Sequence, residues 1–422
     1  MSTIAELKAR EILDSRGRPT IIATCRLGSG ALATASVPSG ASTGKAESLE
    51  LRDGNPKRYN GLGCRKAVSN VNAEIAHAVA DRKFEDQEAL DSFLLGLDGT
   101  PNKSRLGGNA ILAVSIAFAR ALAAERDVPL YLYFASILGY EVQTLPRLTI
   151  NLFSGGKHAG KQVALQDVLI VPISSRSIDE SLVTAYDVYQ AAADLVFRRY
   201  GMRLLTADEG GLAPPCESVE AMIQTAVEAI EAAGYRAGAD VALALDVAAS
   251  HFYRGEVYHI DNLDLSSSQM IDNIQGWMNR FPIVSLEDGL AEDDWAHWPK
   301  LYEAARPKAL VVGDDLLCTN PARIGRAIAV RACNALLLKV NQVGTLTEAA
   351  SACQVARSAG WKVIVSARSG ETEDDWLADL AVGWAADQCK IGSITQSERL
   401  AKYNRLLAIE SATGWPEIPF RL

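Results

Sequence analysis

The feature that most constrains the fold is a series of short apolar runs, each followed at once by a charged side chain. Six such runs end at Asp246, Glu287, Asp314, Lys339, Arg368 and Lys390. The ends recur at intervals of 22 to 41 residues, enough for one strand, one helix and two loops. Amphipathic helical patterns lie between the runs, for example at 320–332. The spacing predicts strand–helix units around a parallel sheet that closes into a barrel.

In such a barrel the carboxyl ends of the strands meet at one mouth, where barrel enzymes build their active sites. A single strand-end residue could equally cap a helix or pair locally, but six in register favour a shared site. Asp246, Glu287 and Asp314 follow successive runs and would repel one another without a cation between them. Oxygen ligands of this kind suit Mg²⁺. The sequence therefore predicts a magnesium site held by these three carboxylates.

Lys339 follows the buried run ALLL and would face this metal site. Burial, a divalent cation and the second lysine, Lys390, all disfavour the ammonium form, which predicts that Lys339 acts as a general base. The matching acid candidate is Glu209 in the glycine-rich segment TADEGGLAPP, which taken alone would be a solvated turn.

The segment GGKHAGK at 155–161 fits the G-x-x-x-x-G-K pattern of a phosphate-binding loop. Gln162 replaces the required Ser or Thr, and the following VALQDVLIV has the pattern of a strand where a helix is needed. We therefore do not expect a phosphate-binding loop. His158, inside this segment, could equally be a turn histidine.

The first third of the chain has a different sequence pattern. Residues 4–37 are strand-rich, 38–44 form the glycine and serine cluster PSGASTG, and 60–127 have helical periodicity. We expect an α/β protein with an N-terminal α+β capping domain at 1–140 and the barrel at 141–422.

Composition narrows the partners and the compartment. A net charge of -9 without a Lys/Arg run argues against nucleic acid and against an anionic membrane surface. Seven scattered cysteines predict reduced thiols rather than a disulfide framework. The N-terminus has no apolar leader, and the longest apolar run, 110–119, is too short to span a bilayer. We expect a cytoplasmic protein.

Several longer motifs resemble the enolase (phosphopyruvate hydratase) family from near residue 8 to near residue 410. They are DSRGRPT, VPSGASTG, LGGNAILAVS, ADEGGLAP, SLEDGLAEDDW, LLLKVNQVGT, SGETED and SERLAKYNRLL. The resemblance implies a small α+β domain before an enolase-type, TIM-like eight-stranded α/β barrel with an atypical strand order at its start. It also implies a Mg²⁺-dependent carbon–oxygen lyase that forms a homodimer or a higher homo-oligomer.

The resemblance assigns roles to the metal side of the pocket. Asp246, Glu287 and Asp314 match the ligands of a first magnesium ion. Ser42 matches a residue that joins a second magnesium ion when its loop closes over the substrate. Lys339 matches the base that removes the proton beside the substrate carboxylate.

The remaining roles concern the substrate. Glu209 matches the acid that assists hydroxide departure, and Lys390 a cation that stabilises the enediolate. Arg368 and Ser369 match the phosphate-binding pair. Two further residues match the pocket wall, Gln166 and His158.

Two positions depart from the family pattern. SARSGETED has Ala367 where family members have histidine, and ALQDV has Asp167 where they have glutamate. Both family residues lie on the wall that handles the leaving hydroxyl. Removing an imidazole and withdrawing a carboxylate by one methylene should impair ordinary hydratase activity, because a displacement of ~1 Å can cost on the order of 10²-fold in rate.

We therefore favour a diverged paralogue that makes an enolpyruvate phospho-product from a small phosphorylated or phosphonylated carboxylate other than 2-phosphoglycerate. An enolase-like activity of this kind is carboxyphosphonoenolpyruvate synthase, in phosphonate metabolism and antibiotic biosynthesis, although no motif here names that substrate. One alternative is an ordinary enolase that converts 2-phosphoglycerate to phosphoenolpyruvate, against which Ala367 and Asp167 argue. Another is a non-catalytic binding scaffold, against which the intact metal-side residues and Lys339 argue.

Overall fold

The computed structural model describes residues 1–41, 44–201 and 205–421. Ser42, predicted as a ligand of the second magnesium ion, lies outside the described residues. All seven cysteines are buried, and none forms a disulfide.

The N-terminal region is a four-stranded sheet covered by helices. Its strands lie in the order β3-β2-β1-β4, with bounds β1 Ser2–Leu13, β2 Pro19–Leu27, β3 Leu32–Ser36 and β4 Lys83–Phe84. Its helices are α1 Arg65–Asn70, α2 Ala76–Val79, α3 Gln87–Asp98, α4 Gly108–Glu125 and α5 Leu130–Leu138. A π-helical turn, Val71–Ile75, joins α1 to α2. The strands-then-helices order confirms the α+β pattern read from the sequence.

Helix α4 contains the apolar run at 110–119. The helix extends that run to 18 residues, which is long and apolar enough to cross a membrane by length and composition alone, and 83% of it is buried inside the protein. It packs beside β2 and β3. The burial is that of a core helix, whose apolar surface is covered on all sides.

The rest of the chain forms the barrel and a small accessory sheet. Its strands are β5 Arg147–Ser154, β6 Asp167–Val171, β7 Ala242–Asp246, β8 Tyr253–Arg254, β9 Val257–Ile260, β10 Leu263–Leu265, β11 Ile283–Glu287, β12 Leu310–Gly313, β13 Ala335–Leu338, β14 Lys362–Ser366 and β15 Gln388–Gly392. Its helices are α6 Ile178–Tyr200, α7 Val219–Ala232, α8 Ser267–Arg280, α9 Trp298–Ala305, α10 Pro321–Val330, α11 Val340–Val343, α12 Leu346–Ser358, α13 Trp376–Gly383 and α14 Ser397–Thr413.

Eight of these strands close into a barrel in the order β11-β12-β13-β14-β15-β5-β6-β7. Strand β6 runs antiparallel to both of its neighbours, and every other pair is parallel. The closed eight-stranded barrel and its unusual start confirm the predicted fold class. Because β6 is reversed, its first residue lies at the mouth where the parallel strands end.

The helices around the barrel begin where the sequence supplies an oxygen to the first free N–H groups. The side chains of Ser177, Ser218, Ser266 and Thr345 cap α6, α7, α8 and α12 in this way. The strands are buried on both faces, as their uninterrupted apolar runs predict. The polar residues that follow these runs are therefore carried by a rigid frame.

Candidate active site

The barrel mouth gathers most of the residues that the sequence analysis selected. Asp246 and Glu287 are the last residues of β7 and β11, Asp314 follows β12, and Lys339 follows β13. Lys390 differs from the expectation. It lies inside β15, which continues to Gly392 through a register shift, so the apolar run alone misplaced the end of this strand.

Lys390 binds two of the three predicted metal ligands. Its Nζ lies 2.8 Å from Oδ2 of Asp246 and 2.7 Å from Oε2 of Glu287, and all three side chains are buried. The remaining oxygen of Glu287, Oε1, is buried and has no hydrogen-bond partner. Burial and the neighbouring Asp246 carboxylate hold the pKa of Glu287 well above its ordinary value. Ionisation of both carboxylates in this corner therefore requires more positive charge than Lys390 alone supplies.

Asp314 is held by a different lysine. Its Oδ2 forms a buried ion pair with Nζ of Lys339, and its Oδ1 accepts a hydrogen bond of 3.0 Å from Nε2 of Gln342. Burial lowers the pKa of Lys339 and so does Lys390, as expected, but Asp314 and Glu287 outweigh them and raise it. Asp314 is thus a direct partner that favours the ammonium form of Lys339, and the role of Lys339 as a general base stays a prediction.

The three predicted metal ligands do not form one tight cluster. In the described ranges, two groups of acidic or histidine side chains have ligand atoms all within 4.8 Å of one another, and Asp246, Glu287 and Asp314 are not one of them. The groups are Asp288–Asp314–Asp315 and His158–Asp167–Glu209. The lysine pairings explain the difference, since Lys390 holds Asp246 and Glu287 while Lys339 holds Asp314.

Asp288 binds the backbone at the barrel mouth and does not add a free metal ligand. Its two carboxylate oxygens accept the backbone N–H groups of Asp314 at 2.9 Å and Asp315 at 2.7 Å. The donor set that remains still fits a hard cation: carboxylates on adjacent strands, the unpartnered Oε1 of Glu287 and the unpartnered, buried Oε1 of Gln166. Nε2 of Gln166 donates to Asp246 at 3.0 Å, which fixes that amide beside the ligands.

The opposite wall is built around His158. This residue ends a single 3₁₀ turn in the β5–β6 loop. Its Nδ1 lies 3.1 Å from Oδ2 of Asp167, and its Nε2 lies 3.8 Å from Oε1 of Glu209. Burial lowers the pKa of His158, but the two carboxylates outweigh burial and raise it to about 9. His158 is therefore an imidazolium at neutral pH.

The pKa values of the two carboxylates beside His158 are shifted in opposite directions. Burial raises the pKa of Asp167, whereas the charge of His158, followed by Arg399 and the two catalytic lysine candidates, outweighs burial and lowers the pKa of Glu209. Glu209 accepts a hydrogen bond of 3.1 Å from Nδ2 of Asn151. The proton on this wall is thus carried by His158, while Glu209, expected as the acid, is held in its ionised form.

The two positions that depart from the family pattern lie beside these groups. Oδ1 of Asp167 accepts a hydrogen bond of 2.5 Å from Ser154, so both oxygens of the shortened carboxylate are bound to neighbouring side chains. Ala367 is buried just after β14, and its N–H donates to the backbone oxygen of Lys390 at 2.9 Å. A methyl group therefore stands next to Lys390.

Arg368 and Ser369 meet the N-terminal region. Guanidinium Nη1 of Arg368 lies 3.1 Å from Glu47 and donates to Asn341 at 2.9 Å. Oγ of Ser369 accepts hydrogen bonds from the backbone N–H of Ala41 at 2.8 Å and from Arg16 at 3.1 Å. Next to them, Ser39 and Gly370 exchange two backbone hydrogen bonds of 2.8 and 3.0 Å. The corner predicted to bind phosphate is thus formed jointly by the N-terminal region and the barrel.

Sequence reasoning missed Glu47, Arg16 and Asn341. Arg16 lies in DSRGRPT and Asn341 in LLLKVNQVGT, motifs that served only to mark the family. Arg16 and Asn341 could have been selected from the sequence, because each is a charged or amide side chain inside a motif that otherwise consists of turn residues or a buried strand.

A closed α/β barrel behind an α+β domain, with buried lysines and carboxylates paired at its mouth, defines a two-domain barrel protein with a charged pocket at the carboxyl ends of its strands. Comparison with protein families agrees: residues 4–134 match the enolase N-terminal domain, and residues 142–417 match the enolase C-terminal TIM barrel domain. The chain belongs to the enolase family. This confirms the resemblance read from the motifs.

Proposed function

We propose that the chain is a Mg²⁺-dependent enolase-family lyase that removes the proton beside the carboxylate of a 2-phosphoglycerate-like substrate and forms an enolpyruvate phospho-product. We further propose that its substrate is not the glycolytic one. The observation that carries the proposal is the pairing of Lys339 and Lys390 with the three carboxylates at the mouth. In this proposal Lys339 is the base and Lys390 is the stabilising cation.

Asp246, Glu287 and Asp314 would hold the magnesium ion, which when bound supplies positive charge that makes the proton beside a carboxylate more acidic. Lys339 would take that proton as a neutral amine, a form that is favoured only when Asp314 no longer pairs with it, because Asp314 is its direct partner and raises its pKa. Lys390 stays a cation and faces the negative charge that develops on the substrate carboxylate.

On the opposite wall His158 would give its proton to the departing group, since it is the protonated member of its cluster. Asp167 orients the ring through Nδ1 and is itself fixed by Ser154. Ala367 stands where family members have an imidazole, so that proton-handling group is missing. This supports a substrate other than 2-phosphoglycerate, such as the phosphonylated carboxylate of a carboxyphosphonoenolpyruvate synthase-like enzyme.

The second candidate is an ordinary enolase, favoured by the protonated His158, which could replace the imidazole missing at position 367. Two measurements with Mg²⁺ separate the candidates: turnover of 2-phosphoglycerate, and exchange of its α-proton with deuterated solvent. Exchange and binding with poor turnover are expected here. Turnover near about 1–10³ s⁻¹ would show an ordinary enolase, and neither exchange nor phosphoenolpyruvate binding would show a non-catalytic scaffold.

Assembly and compartment also remain proposals. We propose a cytoplasmic homodimer or higher homo-oligomer that binds neither nucleic acid nor membrane, supported by the acidic net charge of -9 and by the family. Analytical ultracentrifugation of the full chain tests the assembly, and a single monomeric species would reject it.

A further inference from the structure

A cavity of about 500 Å³ lies beside the proposed active site. It is bounded by the β5–β6 loop, which carries His158, and by the accessory sheet β8–β10 with the turn before it. Its wall includes Gly156, Lys157, Lys161, His251, Arg254 and Asp261. Because Gly156 and Lys157 directly precede His158, the cavity and the catalytic wall share one loop.

The cations of this cavity are uncompensated by ion pairs. Within the described part of the chain, Lys157, Lys161 and Arg254 form no ion pair, although all three line the same space. Two carboxylates also line it. Asp261 is committed to the N–H of Val219, at 3.0 and 3.2 Å, and Glu217 is exposed. Lys157, Lys161 and Arg254 are also exposed, so solvent screens their repulsion, and an anion between them would stabilise the arrangement modestly.

His251 supplies an independent observation. Its Nδ1 is buried and has no hydrogen-bond partner. Burial and the nearby Lys157 lower its pKa to about 4, so the ring is neutral and has one N–H donor. A buried polar atom without a partner is costly and is commonly satisfied by water or a ligand. Here the unsatisfied ring lines a cavity that three cationic side chains, Lys157, Lys161 and Arg254, also line.

We propose that this cavity is a second oxyanion-binding subsite, taking a phosphate, phosphonate or carboxylate group through Lys157, Lys161, Arg254 and His251. It is distinct from the corner of Arg368 and Ser369. The inference deepens the proposed function, because the anion is either a second acidic group of the substrate or a separate small anion. Occupation of the cavity does not depend on turnover.

The test is a titration of the full chain with inorganic phosphate at constant ionic strength, observed by NMR of the histidine rings. His251 is assigned among the five histidines by its loss in His251→Gln. We expect a saturable shift of the His251 signals. The double variant Lys161→Ala/Arg254→Ala should weaken phosphate binding about tenfold, since each exposed ion pair contributes modestly. Lys300→Ala, which removes an exposed lysine from α9, should change nothing.

Phosphoenolpyruvate binding at the Arg368 corner checks that the variants are folded and separates this test from the proposed function. A His251 signal that does not move with phosphate, that moves equally with chloride, or that responds equally in the double variant overturns the subsite.

A second arm identifies the source of the anion by comparing 2-phosphoglycerate with 2,3-bisphosphoglycerate. Tighter binding of the bisphosphate that disappears in the double variant assigns the cavity to the substrate's own second group. A phosphate shift that persists with 2-phosphoglycerate bound, with no gain for the bisphosphate, assigns it to a separate anion. Both results support the subsite.

Discussion

Oδ2 of Asp167 lies 3.1 Å from Nδ1 of His158, and both side chains are buried at the mouth of the barrel. The reversed strand β6 makes this contact possible, since it brings its first residue to the end where the parallel strands finish. Two predictions follow from the contact between these two residues.

Asp167→Asn should lower the pKa of His158 from about 9 by about 1 to 3, because a buried opposite charge is removed. NMR titration of the ring without added Mg²⁺ measures it. Asp264→Asn, which removes the partner of the exposed His259, is the matched control and should leave His158 unchanged. A His158 pKa that stays near 9 in Asp167→Asn would contradict the pairing.

The same pair predicts a pH dependence of stability. The pKa of His158 is raised in the folded state above its ordinary 6.5, so the folded chain binds the proton more tightly. Its stabilising contribution is fully present below about 6.5 and is lost as the pH rises through about 9. Urea unfolding across this range should show a smaller decline for His158→Gln than for wild type. Equal declines would rule out the contribution.

Lys339→Ala should reduce exchange of the substrate α-proton with deuterated solvent by on the order of 10² to 10⁴, since it removes the proposed base, along with the ion-pair partner of Asp314. NMR with 2-phosphoglycerate and Mg²⁺ follows the exchange, and calorimetry checks that the ligand still binds. Lys300→Ala provides the surface control. Exchange at the wild-type rate in Lys339→Ala would exclude the role.

Asp314→Asn should weaken Mg²⁺ binding in calorimetry with a phosphorylated carboxylate present, because it replaces a charged oxygen ligand by a neutral amide. It should also destabilise the metal-free chain by about 3 to 5 kcal/mol, since the buried Lys339 loses its carboxylate partner. Asp264→Asn at the surface should do neither. Wild type that binds no Mg²⁺ even with the ligand would refute the metal site.

The sequence predicted which strands carry the site residues more fully than it predicted the contacts between those residues. Apolar runs located the ends of β7, β12 and β13 because strands buried on both faces have no polar interruption, and the end of β11 was located although Ser285 interrupts its run. They misplaced Lys390, because β15 continues beyond it through an irregular pairing. Which lysine binds which carboxylate depends on distances between side chains of different strands, and strand spacing along the chain does not encode those distances.

The proton-handling wall was the least predictable part. His158 and Glu209 lie in loops, and only the fold brings them within 3.8 Å. For Lys339 the sequence indicated the repulsive neighbours but not the direct partner, Asp314. Glu47 and Arg16 were missed because nothing in the strand pattern indicates where the N-terminal domain contacts the barrel.

The changes at positions 367 and 167 can be tested by reversing them. Ala367→His with Asp167→Glu should raise 2-phosphoglycerate turnover by roughly 10² to 10⁴. The gain should exceed that of the two single changes combined, because both groups act on one leaving hydroxyl. Steady-state kinetics with Mg²⁺ measure it. Fast turnover already in wild type would remove the reason for the experiment and favour the ordinary enolase.

The backbone bridge between Ser39 and Gly370 bears on how the protein folds. Next to it, Arg16 and Ser369 are joined although they are 353 residues apart along the chain. Contacts between such distant segments have a higher loop-closure entropy than local ones and slow folding. The pairs from β11 to β15 join neighbouring segments of the chain and can form earlier, whereas the β15–β5 pair that closes the barrel, such as Gln388 with Arg147, is also long-range. A refolding chain should therefore regain the β11–β15 half of the barrel before it regains a complete anion-binding corner, so a nascent chain with those strands paired is not yet a finished catalyst.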